Sequence, residues 1–413
     1  MAERGRRCQN IPGSARFGRR RFLGSVGGLG VATVLSSCGD GGTPAAPIAT
    51  LVPTIAAPTP TQPPIASPVS GYLDPDRWEG RTLTVACLGG YYQDAQNDAI
   101  FDPFMKATGA LVQQKLSGGD LSDFRGQVER ESVVWDVVDL PTDEVLPLAR
   151  EEYLTPIDYQ VVAKATLLEP FAMQHGVASS IFSTVLSYAA DSQRKPDGWR
   201  DFWDVARFPG GRALKESPVG TLEFSLLADG VEIDRLYPLD IDRAFRSLER
   251  IRSEVVQWYD NTKQPVALVL NGDASMASTF SVRALPPENV ADIGLQWRGG
   301  MLSSNSWVVP RGAPNSDIAM DFINYATRAV PTANLSRLVP FGPVNRDAFD
   351  FLRDDRIEVM PNTAPRSAVQ FVENWAWWAD NRVALEERFK SWRALDLDPA
   401  PAGVATPLAE ESR

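Results

Sequence analysis

The sequence predicts an α/β fold with a parallel sheet, built in two lobes. Two observations carry that expectation. Strand-like and helix-like segments alternate from Thr82 to Val138, the pattern of parallel strands joined by crossover helices. A further β-rich run, Ile181–Ala189, then leads on as a crossover into a second lobe would. With 413 residues, 44% hydrophobic and 23% charged, the chain has the length and composition for a sizeable core.

The first residues obey other rules. Gly18-Arg19-Arg20-Arg21-Phe22-Leu23-Gly24 precedes a weakly apolar, Gly-rich run that ends in Leu35-Ser36-Ser37-Cys38. A charged start, an apolar middle and small residues before a cut make 1–37 a signal peptide. The apolar run is too short for a membrane span, which needs about 20 residues. The paired arginines before Phe-Leu resemble a twin-arginine export signal. Leu-Ser-Ser-Cys resembles a bacterial lipobox, which makes Cys38 the lipidated first residue of a mature, extracytoplasmic protein. Residues 38–70 are rich in Pro, Ala and Thr and cannot bury enough surface to fold, so they read as a tether. Fully extended, such a segment reaches up to ~90 Å. The Pro- and Ala-rich residues 396–413 read as a disordered tail.

Cysteine and charge narrow the function classes. With Cys8 removed and Cys38 carrying lipid, Cys87 is left as a lone thiol within the apolar run Leu83–Leu88, a buried structural position. Residues 1–37 hold seven Arg and one Glu, a net of +6 in a chain of −11, so the mature protein carries −17. So acidic a chain does not suit nucleic acid.

Taken in order, Thr82–Leu88 is a buried strand that passes through Gly89-Gly90-Tyr91-Tyr92 into a helix from about Asp94. That helix has Ile100 and Phe104 on one face, Pro103 inside it and Gly109 closing it. Ala110–Lys115 reads as a strand, Leu121–Arg130 as a helix and Val133–Val138 as a third strand. In parallel α/β sheets ligands sit at the carboxyl ends of strands, which puts Gly89–Tyr92 and Asp139–Asp143 at one mouth. Leu222–Leu227 reads as helix. Asp240 caps another, with an apolar face of Ile241, Phe245, Leu248, Ile251 and Val255. A final helix has a face of Leu385, Phe389 and Trp392.

The stretch Asn271–Pro310 holds the best candidate pocket. Short β-prone runs, Ser275–Phe280, Ile293–Trp297 and Trp307–Pro310, are separated by an Asn271-Gly272-Asp273 turn and a Gly299-Gly300 break. Phe280, Arg283, Trp297, Ser303, Ser304, Asn305 and Trp307 mix apolar walls with a few orienting polar groups, as a small-molecule site requires. Catalytic signals are sparse. The single histidine is His175, no His/Cys cluster marks a metal site, and no G-x-S-x-G elbow, phosphate loop or dinucleotide fingerprint occurs. No cofactor is expected. Paired carboxylates for glycoside hydrolysis remain compatible with the many acids, so a secreted carboxylate-dependent hydrolase is the alternative class.

A set of short motifs carries a family resemblance. Phe202-Trp203-Asp204, Phe208-Pro209-Gly210-Gly211-Arg212-Ala213-Leu214, Leu227-Ala228-Asp229-Gly230-Val231, Leu236-Tyr237-Pro238-Leu239-Asp240, Phe341-Gly342-Pro343-Val344-Asn345 and Trp377-Trp378-Ala379-Asp380-Asn381-Arg382 stand in order along the chain. Together, over roughly Arg81–Leu395, they resemble the spermidine/putrescine-type extracellular solute-binding proteins of bacterial ABC importers. The resemblance implies a type II periplasmic-binding-protein fold whose lobes close on ligand by a hinge. It places lobe 1 in 81–185 with 302–350 and lobe 2 in 186–301 with 351–395. It further implies a monomer that takes a small-molecule ligand to a membrane permease and is not an enzyme. A sensory receptor for a membrane kinase would use the same fold.

Carried over residue by residue, the resemblance implies a ligand site of Tyr91, Tyr92, Asp143, Glu223, Phe280, Arg283, Ser303, Asn305, Phe341 and Asp380, with Trp307 as a further wall. The sequence departs from the polyamine pattern: Phe280 stands for a Trp, and Glu223 is the nearest carboxylate where a pair of acids is expected near the Leu222 helix. Asn305 stands where a carboxylate would meet an ammonium, and Ser303 stands where an aromatic precedes it. Arg283, in the same segment, suits a carboxylate instead. The expected ligand is therefore a compact amine-bearing solute, polyamine-like as the resemblance implies, with an ω-amino acid such as γ-aminobutyrate as the chief alternative.

Overall fold

The long apolar runs of the sequence become the strands of one mixed sheet. The structure, a computed structural model, describes residues 68–117, 121–285 and 292–395. The expected signal peptide, Cys38, most of the tether and the expected tail lie outside these residues. Ten strands occur among the described residues: β1 (Thr82–Cys87), β2 (Leu111–Leu116), β3 (Val137–Pro141), β4 (Leu154–Thr155), β5 (Val177–Ala189), β6 (Arg212–Lys215), β7 (Val255–Tyr259), β8 (Met276–Phe280), β9 (Ile293–Pro310) and β10 (Phe371–Val372). Their order is β2-β1-β3-β9-β5-β8-β6-β7, with the two-residue strands β4 and β10 also pairing with β9.

Two long antiparallel strands hold this sheet together. On one side β1 is parallel to both β2 and β3, and β3 meets the C-terminal part of β9, from Pro141 opposite Asn305 to Val138 opposite Val308. On the other side β5 pairs with β8 from Thr184 to Tyr188, and β8, β6 and β7 run parallel. The strands β5 and β9 pair across both halves. Each half packs its own apolar faces. Val85, Phe101, Phe104, Trp307 and Phe322 share a core on one side, and Leu222, Phe245, Trp258, Trp378 and Phe389 share one on the other. Crossover strands between two α/β halves, with loops converging between them, are the periplasmic-binding-protein fold.

Several expectations need correction. Gly299-Gly300 is no break: the chain runs as one strand from Ile293 to Pro310. The register against β5 does jump there, from Thr184 opposite Met301 to Leu186 opposite Gln296. The glycines serve this irregularity. Gly299 has φ +73°, and a Cβ on Gly300 would lie 2.7 Å from the Gln370 amide oxygen. The third strand begins at Val137 rather than Val133, because Asp136 turns its carboxylate to the Thr84 and Asn315 N–H groups, at 2.8 and 2.9 Å. The first helix starts at Gly90 and widens to a π-helical turn over Asn97–Phe101 just before Pro103. A proline has no N–H to donate back and its ring crowds the preceding turn, so the wider turn accommodates it. The helix capped by Asp240 ends at Ile251, and Val255 opens β7 instead of extending the helical face.

One quoted motif is explained by packing. Arg212, fully buried, donates to the Phe202, Phe208 and Gly210 carbonyls at 2.7, 2.6 and 2.5 Å and to Ser275 Oγ at 2.8 Å. It fastens the Phe208–Gly211 turn to the start of β6. Cys87 is buried, as its apolar context predicts.

Candidate functional site

The carboxyl ends of the parallel strands converge from both halves, as expected for ligand-binding loops. After β1 comes Gly89–Tyr92, after β3 Thr142–Glu144, after β6 Ser217–Gly220, and after β8 the short helix Ser281–Ala284 that carries Arg283. The middle of β5 and β9 and the end of β10 complete the site.

An aromatic wall crosses the site. The Phe182 ring lies 5.2 Å from Phe280 and 6.2 Å from Phe341, and Phe341 lies 4.7 Å from Tyr92. Phe182 on β5 stands opposite Ser303 on β9, so the two side chains share one face of the sheet. Two cations border this wall. The Arg283 guanidinium carbon sits 5.5 Å from the Tyr91 ring centre, and the Lys215 ammonium sits 5.5 Å from that of Phe280. Tyr91 and Arg283 come from opposite halves of the sheet, so this cation–π contact bridges them. Arg283 Nε also donates to Thr262 Oγ1 at 3.2 Å.

Three carboxylates face the same region in three different states. Asp143 is ion-paired with Arg382 at 2.5 Å. Glu223 is fully buried and saturated. Its Oε1 accepts from Tyr237 at 2.5 Å and Trp378 Nε1 at 2.7 Å, and its Oε2 accepts from Gly220 N at 2.9 Å. Glu373, directly after β10, is 6% exposed. Its Oε2 accepts from Ser303 Oγ at 2.8 Å, while its Oε1 has no hydrogen-bond partner. Burial, and then the Asp143 charge, push the Glu373 carboxyl up to about 8. Among the described residues no group of His, Cys, Asp or Glu is arranged to hold a metal ion.

A second polar layer lies beneath the wall. The Tyr92 hydroxyl meets Ser180 Oγ at 2.7 Å and Ser179 Oγ at 3.2 Å, and Asn305 is also among its hydrogen-bond partners. Asp139 accepts from Ser179 at 2.8 Å and from Gln96 at 2.7 Å, and burial pushes its carboxyl up to about 7.

The structure thus brings together Tyr91, Phe280, Arg283, Ser303 and Phe341. Tyr92 and Asn305 lie one layer down, and Glu223 and Asp143 already have partners. Two expected residues are placed elsewhere. Asp380 is exposed and paired with Arg150 at 2.6 Å on the outer side of its helix. Trp307 is fully buried between Phe101 and Phe322, at 6.3 and 5.5 Å, as core rather than wall. Sequence reasoning missed Phe182, Lys215, Tyr237 and Glu373. Lys215 follows the quoted Phe208–Leu214 motif directly, which was an available signal. Glu373 gave none, because β10 is only two residues long and Ser303 is 70 positions away.

Known proteins share this fold. A family model described as bacterial extracellular solute-binding protein matches residues 99–364. A γ-aminobutyric acid-binding protein of Pseudomonas aeruginosa is 29% identical over 324 residues, 76% of this chain and 92% of that protein. The crystal structure of an ABC transporter substrate-binding protein from Bradyrhizobium japonicum is 33% identical, with a TM-score of 0.72, covering 76% of this chain and 99% of that one. The Atu4243–GABA receptor structure is 32% identical, with a TM-score of 0.70, covering 76% and 98%. A spermidine/putrescine substrate-binding protein from Streptococcus pneumoniae is only 15% identical with a TM-score of 0.63, so the polyamine resemblance extends to the fold alone. The chain belongs to the bacterial extracellular solute-binding protein family, and it is a substrate-binding protein of an ABC transporter rather than an enzyme.

Proposed function

We propose that this protein captures a compact ω-amino acid of the γ-aminobutyrate kind between its two lobes and delivers it to an ABC import permease. The observation that carries this reading is Arg283. Its guanidinium lies on Tyr91 at the meeting of the two halves, and no carboxylate among the described residues pairs with it. A guanidinium so placed suits a ligand carboxylate. The balance of charge points the same way. A diamine needs an open carboxylate at each end, whereas Asp143 and Glu223 are already bound by Arg382, Tyr237, Trp378 and Gly220. The likeness to γ-aminobutyrate-binding relatives agrees.

Calorimetry with γ-aminobutyrate, putrescine and spermidine tests the proposal. The wild-type protein is expected to bind γ-aminobutyrate and return it unchanged. Arg283→Ala should abolish that binding while leaving any diamine binding in place. Preference of the wild-type protein for diamines, or turnover of the bound compound, would sink the reading.

The same proposal includes a lipid anchor at Cys38 with 38–70 as a tether. The support is the Leu-Ser-Ser-Cys motif following the arginine-rich leader. Cys38→Ser should block lipidation and leave ligand affinity unaltered. An unchanged mass and membrane location for that variant would refute the anchor.

A further inference from the structure

We infer that Glu373 is the ammonium acceptor of the site and that it gives up a proton when the ligand binds. This rests on the solute-binding reading above and goes beyond it by assigning the residue and the proton exchange.

The geometry singles out Glu373. It is more than nine-tenths buried, and Ser303 Oγ holds one of its carboxyl oxygens at 2.8 Å while the other has no partner. Ser303 shares its sheet face with Phe182, which packs on Phe280 and Phe341, so the carboxyl borders the aromatic wall. Burial makes an ionised carboxylate costly here, and protonation relieves that cost. Its charged and titratable neighbours are Asp143, Glu223, Lys215, Arg382 and Tyr237. Asp143 and Glu223 raise its proton affinity and Lys215 lowers it. An arriving ammonium adds a positive charge and a donor for the unpartnered oxygen. The Glu373 O–H bond then breaks, its proton leaves to solvent, and the carboxylate accepts a hydrogen bond from the ligand ammonium, which keeps all its own protons. Lys215 and Arg283 border the aromatic wall at Phe280 and Tyr91, and Arg283 is the group that suits the carboxylate of the ligand.

The test is calorimetry on the full mature chain with γ-aminobutyrate, 4-acetamidobutyrate (which lacks the cation) and putrescine, for wild type and Glu373→Gln. Wild type should prefer γ-aminobutyrate over its acetylated form by about ten- to a hundredfold, and Glu373→Gln should lose most of that preference. In wild type, titrations in buffers of different ionisation enthalpy should show up to one proton released per ligand near pH 7. Affinity should rise by at most about tenfold per pH unit below pH 8. Both effects should vanish in Glu373→Gln, which retains Asp139 and so separates the two carboxyls. The acetylated ligand keeps the test open on wild type should the variant not fold. If γ-aminobutyrate fails to bind but putrescine binds and Glu373→Gln weakens it, the role of Glu373 stands and the ω-amino acid reading falls. If wild type binds an amine and Glu373→Gln leaves affinity and proton release unchanged, or if no amine binds, the inference is overturned.

Discussion

The Arg382 guanidinium sits 2.5 Å from the Asp143 carboxylate, and with that contact the helix Trp375–Ala394 is tied to the loop after β3. The two residues belong to elements packed in different cores. Trp378, Leu385 and Phe389 join Phe245 and Trp258, whereas Val145 and Leu148 join Val138 and Leu140. Glu144 lies 3.8 Å from the same guanidinium, and Arg150, at the end of the short helix Val145–Arg150 that follows this loop, makes a second, exposed bridge to Asp380. Both Arg382 and Asp143 are about a fifth exposed, so solvent screens this pair less than it screens Arg150–Asp380.

Replacing Arg382 by Met should therefore destabilise the protein by about 1–2 kcal/mol, because Asp143 and Glu144 would be left side by side without their cation. Asp143→Asn in the Arg382→Met background should recover part of the loss. Urea unfolding of the four proteins measures the coupling. If the two single changes simply add, the contact contributes no interaction of its own.

Arg212 yields a stability prediction that leaves binding alone. Its guanidinium satisfies three backbone carbonyls and one hydroxyl in a fully buried position. Arg212→Met orphans those carbonyls and should cost about 3 kcal/mol or more. Arg212→Lys should lose nearly as much, since an ammonium cannot reproduce the fork that spans Phe202, Phe208 and Gly210. Denaturant midpoints should fall in both, while calorimetry on the folded fraction should return wild-type affinity.

How much of this was legible follows from what each feature depends on. The order of strands and helices in the first half was readable because apolar runs and turn residues act locally: β1, β2 and the Gly109 cap lie within a residue of their expected places. Arg283, Tyr91 and Phe280 were expected together because strand ends and a family likeness point to the same loops, and Arg283 does lie on Tyr91. Trp307 was misread because an aromatic in a strand looks the same from either face, and only the register of β9 against β3 turns it into the core. Asp380 was misread by one side of a helix: Trp378, two residues earlier, reaches Glu223, while Asp380 reaches Arg150. Glu373 stayed invisible because its meaning lies in a hydrogen bond to Ser303 across distant chain, and in a second oxygen that has none.

Asp139 gives the last prediction, a pH dependence of stability with a definite sign. Its carboxyl is fully buried beneath Tyr92, and burial lifts it from the ordinary 3.8 to about 7 against the opposing hydrogen bonds of Ser179 and Gln96. A carboxyl whose folded value is raised binds its proton more tightly in the folded state than in the unfolded one. Between about pH 4 and pH 7 the folded protein therefore carries more protons, and its stability falls as pH rises through that window. The contribution is complete below the unfolded value and lost above the folded one, with a slope of at most about 1.4 kcal/mol per pH unit. Asp139→Asn keeps the shape and removes the titration. Subtracting its urea-unfolding stability from that of wild type at each pH should isolate the slope from Glu373, whose window overlaps at its upper end. A difference that stays flat from pH 4 to pH 7 would mean that Asp139 is ionised in the folded protein, with Ser179 and Gln96 outweighing the cost of its burial.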